Sequence, residues 1–234
     1  MNNHYYNKKY FEERDHLHLH IAETIKILML ENKLKKILDV GCGTGKMVKF
    51  FNDNGFQSLG CDIYDDALKS ARKINKKNTI IKASATNLPF KNNSFDILTA
   101  ISVIEHLTSK EVEKFLNETK RVLKPNGSIF LVTPNYATPI RLLQGKKWFA
   151  YSDPTHINFY TPKRLSILLK KLGFSHTRTR FKTTYGPTFN WEFPPFFGAL
   201  PSKVKGFLVY LFFSSPLSII RNSFWLAAQK KFKT

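Results

Sequence analysis

The sequence predicts an α/β domain with a mostly parallel sheet and helices on both faces, and three observations carry that prediction. Residues 36–40 are a short apolar run (Ile37, Leu38, Val40) entering a turn with Gly41, Gly43 and Gly45, and a helical pattern with Met47, Val48, Phe50 and Phe51 follows. Apolar runs at 56–62, 79–83, 97–101 and 128–133 alternate with helical periodicity over 67–74 and 110–123, the order that builds strand–helix–strand units. Asp62 ends the second run about twenty residues beyond the glycine turn, the separation at which α/β nucleotide sites set a carboxylate against ribose hydroxyls.

Taken from the start, residues 5–14 place Tyr5, Tyr6, Tyr10 and Phe11 among charges and lead into a helix over 15–34. His16, His18 and His20 lie in that helix, but residues two apart point away from each other, and two ligands do not close a metal site. Solvated or packed helical histidines are expected there. In the glycine turn, positive φ and the missing Cβ let a ligand approach the backbone, which is the expected reason for all three glycines. A G-x-G-x-x-G dinucleotide fingerprint from Gly41 needs glycine where Lys46 stands. A P-loop ending at Lys46 needs glycine at Val40 and Ser or Thr at Met47, so neither the dinucleotide turn nor the phosphate loop fits. Asp62 at a strand end can also cap the next helix, yet Asp65 and Asp66 stand closer to it.

What remains, Asp39-Val40-Gly41-Cys42-Gly43-Thr44-Gly45, closely resembles the first motif of the class I S-adenosylmethionine-dependent methyltransferases, in their ubiquinone- and menaquinone-biosynthesis-like small-molecule group. The likeness continues through Leu88-Pro89-Phe90, through Phe95-Asp96 with its apolar strand and Val103-Ile104-Glu105-His106, and through Lys124-Pro125-Asn126-Gly127. It implies a Rossmann-like, doubly wound, mostly parallel seven-stranded sheet with an antiparallel edge strand and an N-terminal helix that covers the cofactor, using Tyr5, Tyr6 or Tyr10. It implies S-adenosylmethionine as cofactor, against Asp39, Gly41, Cys42, Gly43, Gly45, Asp62, Ile63, Ser84, Ala85, Ala100 and Ile101. Family members often carry Asp where Ser84 stands, so the adenine amino contact is expected from Ser84 or from backbone. No Asp/Asn-Pro-Pro-Tyr follows the fourth strand, which argues against adenine N6 or glutamine as the acceptor.

Glu105-His106 falls beyond the carboxyl ends of the strands, where open α/β sheets bind ligands. His106 either deprotonates a substrate hydroxyl or amine, or packs and caps the next helix. The connection over 136–160 is long, and its aromatics (Tyr136, Trp148, Phe149, Tyr151) are expected to line an acceptor pocket. His156 within it is a second candidate for proton handling, unless its role is a hydrogen bond that fixes the loop. Residues 175–185 alternate as an exposed strand, and 224–229 read as the last strand. Between them, residues 186–222 form a hydrophobic insertion that the minimal fold does not need. Its apolar run at 207–220 is too short to span a bilayer. With Lys203, Lys205 and Arg221 beside it, segment 193–221 suits a membrane interface, a lid over a lipid-like acceptor, an extra buried helix or a dimer contact.

Composition bounds the rest. The 234 residues suit one domain, with 1–34 as N-terminal cap, 36–185 and 223–230 as core, and 186–222 as insertion. Only two cysteines occur, Cys42 and Cys61, each after a predicted strand, so a disulfide framework is not expected and a reducing, cytoplasmic setting is. The N-terminus has no signal-like apolar core. The 37 basic against 17 acidic residues give +20, a field that attracts polyanions and anionic membranes. The basic residues are scattered along the chain, so specific nucleic-acid binding is not expected. The resulting expectation is methyl transfer to a small apolar or aromatic molecule, with no metal. Two other readings stay open: a non-catalytic cofactor-binding partner, or a basic peripheral-membrane or RNA-binding module.

Overall fold

A computed structural model describes residues 6–13, 17–179, 181, 199–201, 204, 207–208 and 221–231. Helix α2 (Leu19–Glu31) is the predicted N-terminal helix, and an additional helix α1 (Lys8–Glu13) lies in the aromatic stretch that leads into it. The first half of the sheet follows as β1 (Lys36–Val40), α3 (Lys46–Asp53), β2 (Gln57–Asp62), α4 (Asp65–Ile74), β3 (Ile80–Lys82) and β4 (Phe95–Ile101). Next come α5 (Ser109–Val122) and β5 (Leu123–Pro134), then the short α6 (Pro139–Gln144) and α7 (Phe149–Ser152) inside the aromatic connection. Helix α8 (Pro162–Lys171), β6 (Phe174–Arg178) and β7 (Ser223–Lys230) complete the order.

The sheet has seven strands in the order β3-β2-β1-β4-β5-β7-β6. β1 pairs in parallel with β2 and β4, and β4 in parallel with β5. β7 runs antiparallel to both β5 and β6. The antiparallel strand is therefore one in from the edge, and β6 closes the sheet. The predicted strand over 175–185 is shorter as described, and the insertion lies largely outside the described residues.

Alternation along the strands explains why both faces are covered. Leu38, Leu98, Ile129 and Leu131 face α5 and α8 through Val112, Phe115, Leu116, Leu165 and Leu169. Their neighbours Ile37, Ile97 and Phe130 face α2 and α3 through Ile25, Met29, Met47 and Phe51. Strands apolar on both faces are what a parallel sheet buried between helix layers requires. Helix α5 starts on a reciprocal cap: Thr108 Oγ1 accepts from Glu111 N, and Glu111 Oε2 accepts from Thr108 N at 2.8 Å. Among the described residues no helix is long and apolar enough to cross a membrane.

At the amino end of the sheet, Asp96 joins three segments. Its carboxylate accepts from Lys35 N at 3.0 Å, Lys36 N at 2.8 Å and Lys124 Nζ at 2.7 Å. Burial opposes its charge, but the Lys124 ammonium and the backbone donors outweigh burial and hold its pKa below the ordinary carboxylate value. Asp96→Ala strands two backbone N–H groups and should lower stability by about 1–3 kcal/mol, read as a lower urea midpoint. That loss is expected at neutral pH and should shrink as pH falls through the depressed pKa, where the wild type loses the same contribution.

Candidate active site

The carboxyl ends of β1, β2 and β4 open into one cavity of about 560 Å³. The glycine turn forms one wall. Gly41, Gly43 and Gly45 have φ of +72°, +52° and +78°, so each needs glycine for its backbone alone. Their surroundings differ. A Cβ on Gly43 would meet nothing within 4 Å, whereas one on Gly45 would come within 2.5 Å of Asn75 Nδ2 and 2.8 Å of Ala71 Cβ. Gly45 thus serves the packing of α3 on α4 and does not line the cavity, which corrects the expectation that all three glycines face a ligand.

Two buried carboxylates sit behind this wall. Asp62 Oδ2 accepts from Gly43 N at 2.8 Å and Oδ1 from Tyr64 N at 3.0 Å, so the residue at the end of β2 fixes the turn while lining the cavity. Asp39 accepts from Thr99 Oγ1 at 2.7 Å. Burial pushes the Asp39 pKa up to about 7, the Thr99 hydroxyl offsets this in part, and the Asp62 charge adds to it. Burial likewise raises Asp62. Burial raises the Cys42 thiol as well, leaving it a neutral wall residue.

Ile63, Ser84, Ala85 and Ile101 line the same cavity. Ala100 does not: it is fully buried in the core beneath, because alternation on β4 turns it away from the opening. The Ser84 hydroxyl lies 2.9 Å from Thr86 Oγ1 and accepts from Thr86 N, so it shapes the turn after β3.

The far wall is built by residues 102–107 and 153–156. His106 and His156 both line the cavity, their ring centroids 4.7 Å apart. His156 Nδ1 lies 2.7 Å from the Ala150 carbonyl, to which it donates, and Nε2 is 4.0 Å from Asp153 Oδ2. His106 Nδ1 lies 2.9 Å from both Tyr6 Oη and Thr155 Oγ1. Burial and the neighbouring His156 push the His106 pKa down to about 4. Glu105 is buried between them and the sheet. Its Oε2 accepts from Thr133 Oγ1 at 3.0 Å, and its carbonyl accepts from Ile157 N and Asn158 N, each at 3.0 Å.

Tyr6 covers the cavity: its ring stacks on Tyr64 at 4.5 Å while its hydroxyl reaches Thr155 and His106. Tyr10 and Phe11 line the opening beside it, whereas Tyr5 lies outside the described residues. His18 also lines the cavity and His20 stacks on Trp225 at 5.6 Å, while His16 lies outside the described residues. Of the connection's aromatics only Phe149 lines the cavity. Trp148 is fully buried and donates to Asn222 Oδ1, and Tyr136 and Tyr151 pack around it. The sequence marks Glu105 only as the neighbour of His106, and does not single out Tyr64, Asp153 or Thr155. The Glu-His pair is the one local signal, since the bond from Thr155 to His106 crosses almost fifty residues of chain.

Known proteins share this architecture. A methyltransferase-domain family model matches residues 38–131. An uncharacterized protein of Methanocaldococcus jannaschii is 31% identical over 180 residues, covering 74% of this chain and 81% of that protein. The ubiquinone biosynthesis O-methyltransferase of Idiomarina loihiensis is 30% identical over 130 residues, and the chain spans 51% of its length. A relative named as a probable tRNA methyltransferase 9B in Mus musculus is 34% identical over 96 residues, 41% of this chain and 21% of that protein. Among solved structures, an S-adenosylmethionine-dependent methyltransferase of Thermotoga maritima superposes with a TM-score of 0.62 at 18% identity, over 96% of this chain and 94% of that one. Residues 38–131 belong to the methyltransferase-domain family, the fold is that of the class I S-adenosylmethionine-dependent methyltransferases, and S-adenosylmethionine is the family's cofactor. The residues fit it: two buried carboxylates suit the ribose hydroxyls and the ligand's positive charge, and Gly43 leaves its side of the wall open.

Two outcomes are expected. Gly43→Ala should cost about 1–2 kcal/mol of stability through its positive φ and also weaken S-adenosylhomocysteine binding. Gly45→Ala should lower stability further, because it adds a clash, read by denaturant melts beside calorimetry. For Asp39 the folded pKa lies above the unfolded value of about 3.9, so the native state holds the extra proton and stability falls as pH rises through about 7. The thermal midpoint of ligand-free protein should therefore drop from about pH 5 to about pH 8, less steeply in Asp39→Asn, while affinity for the cationic cofactor rises over the same range.

Proposed function

We propose that this chain transfers a methyl group from S-adenosylmethionine to a hydroxyl or amine of a small apolar or aromatic molecule seated against His106 and His156. The observation that carries this reading is the single cavity that joins the glycine wall and Asp62 to the histidine pair. The bound cofactor supplies an activated methyl on a sulfonium. The chain's own task is to hold the acceptor lone pair in line with it, so the rate gain comes mainly from proximity and orientation. Asp62 holds the ribose, and Gly43 admits the methionine part. The ring of His156 is fixed through Nδ1 on the Ala150 carbonyl, which leaves Nε2 as the nitrogen that can take the acceptor's proton. His106, neutral because burial disfavours its charged form, accepts or donates a hydrogen bond beside it.

A second reading, an RNA acceptor, rests on the net charge of +20 and on the tRNA methyltransferase relative. The cover that Tyr6 makes over His106 favours the small molecule. Calorimetry with S-adenosylmethionine, S-adenosylhomocysteine and NAD should give binding of the first two alone, sharply weaker in Asp62→Ala. His106→Ala combined with His156→Ala should lower turnover on hydroxylated aromatics by ~100-fold or more while leaving S-adenosylhomocysteine affinity within about twofold. Equal turnover by the double variant would remove both histidines from the chemistry. Transfer onto RNA alone, steeply salt-dependent, would replace the small-molecule reading.

A further inference from the structure

The cavity's far wall holds a carboxylate that nothing in the methyl-transfer reading uses. Glu105 is 1% exposed; Thr133, Ser102 and its own backbone N–H stand around its carboxylate, but no donor meets Oε1 in hydrogen-bond geometry. The neighbouring carboxylate, Asp153, carries the same sign of charge. An unpaired carboxylate oxygen is costly to bury unless a cation or a proton meets it. Beside it stand two imidazoles, and one ligand atom each from Glu105, His106 and His156 all lie within 4.8 Å of one another.

We propose that Glu105, His106 and His156 bind a divalent first-row transition ion, zinc, manganese or cobalt in class, with open positions facing the cavity. The orientation of the rings supports it. His156 is held through Nδ1 by the Ala150 carbonyl, and His106 is held through Nδ1 by Thr155 and Tyr6. Both rings thus keep Nε2 for a ligand, and metal-bound histidines are oriented by such bonds from the other ring nitrogen. Asp153 extends the support, since it accepts from the Thr155 hydroxyl that touches His106. Two imidazoles and one carboxylate suit zinc and its neighbours, whereas magnesium and calcium prefer sets made of oxygen. Ligand atoms around an ion at ~2.1 Å stand roughly 3.4 Å apart in a tetrahedral set, so the three groups need to draw in by about an ångström.

Resting on the methyl-transfer reading, such an ion would bind an acceptor hydroxyl, lower its pKa and present the oxygen as alkoxide or phenolate. The released proton would go to solvent or to a neighbouring base, and no redox change is involved. His106 and His156 would then act as ligands, and not as the base. Metal binding itself does not depend on that reading.

The test uses chelator-stripped, tag-free protein titrated with Co²⁺ by absorption spectroscopy and with Zn²⁺ by calorimetry. One ion per chain is expected, with affinity about 100-fold weaker in Glu105→Gln and in His156→Gln, and with S-adenosylhomocysteine binding retained as the check that each variant folds. His176→Ala, an exposed histidine on β6 outside the cavity lining, should keep wild-type affinity. Wild-type protein that takes up no ion, or uptake equal in the Glu105 and His156 variants, overturns the site and leaves a protonated Glu105 in its place. If the ion binds but stripped protein still methylates at the full rate, the hydroxyl-activating role is overturned while methyl transfer stands. If the ion binds and no acceptor is methylated, the metal site stands and the methyl-transfer reading fails.

Discussion

The two hydrogen bonds that Asp62 accepts from Gly43 and Tyr64 hold the rest of the site in place. They tie the turn after β1 to the end of β2, so the glycine backbone is presented at the sheet's carboxyl edge and Tyr64 is placed where Tyr6 stacks on it. A carboxylate that accepts backbone N–H groups is positioned strongly and directionally. Here the constraint also sets the electrostatics, because it brings a second buried acid within reach of Asp39. The cavity is therefore acidic at its floor, although the chain as a whole carries +20.

The opposite wall depends on Glu105 in a comparable way. Its backbone carbonyl gathers Ile157 and Asn158, which fixes the loop carrying Asp153, Thr155 and His156 against the end of β4. One residue thus anchors a distant segment with its main chain and lines the cavity with its side chain. The outer face of this connection has a different purpose. Trp148 is buried against Tyr136, Tyr151 and Phe159, so these aromatics stabilise a long connection, and Phe149 alone of the group expected around an acceptor reaches the cavity.

The N-terminal segment joins both walls. Tyr6 reaches Tyr64 on one side and Thr155 with His106 on the other, so any acceptor near the histidines shares their environment with a phenol. Burial raises the pKa of that phenol, which keeps it a neutral hydrogen-bonding group. Few of these contacts are local in sequence, since Tyr6 and His106 are 100 residues apart.

That separation marks the limit of what the sequence determined. By itself it defined the alternating strands and helices, the parallel core, the family motif at 39–45, Asp62 at a strand end and the two histidines, because periodicity, glycine chemistry and fixed spacings are local properties. Only the tertiary structure decided that Gly45 serves α4 and that Ala100 lies beneath the cavity, since each depends on which neighbour occupies the space a side chain would take. It also decided that Glu105 joins His106 and His156. Helical spacing speaks against a metal site among His16, His18 and His20 and says nothing of these three groups, which come from the turn after β4 and the connection after α7, segments brought together by the sheet in a juxtaposition that no spacing within either one encodes.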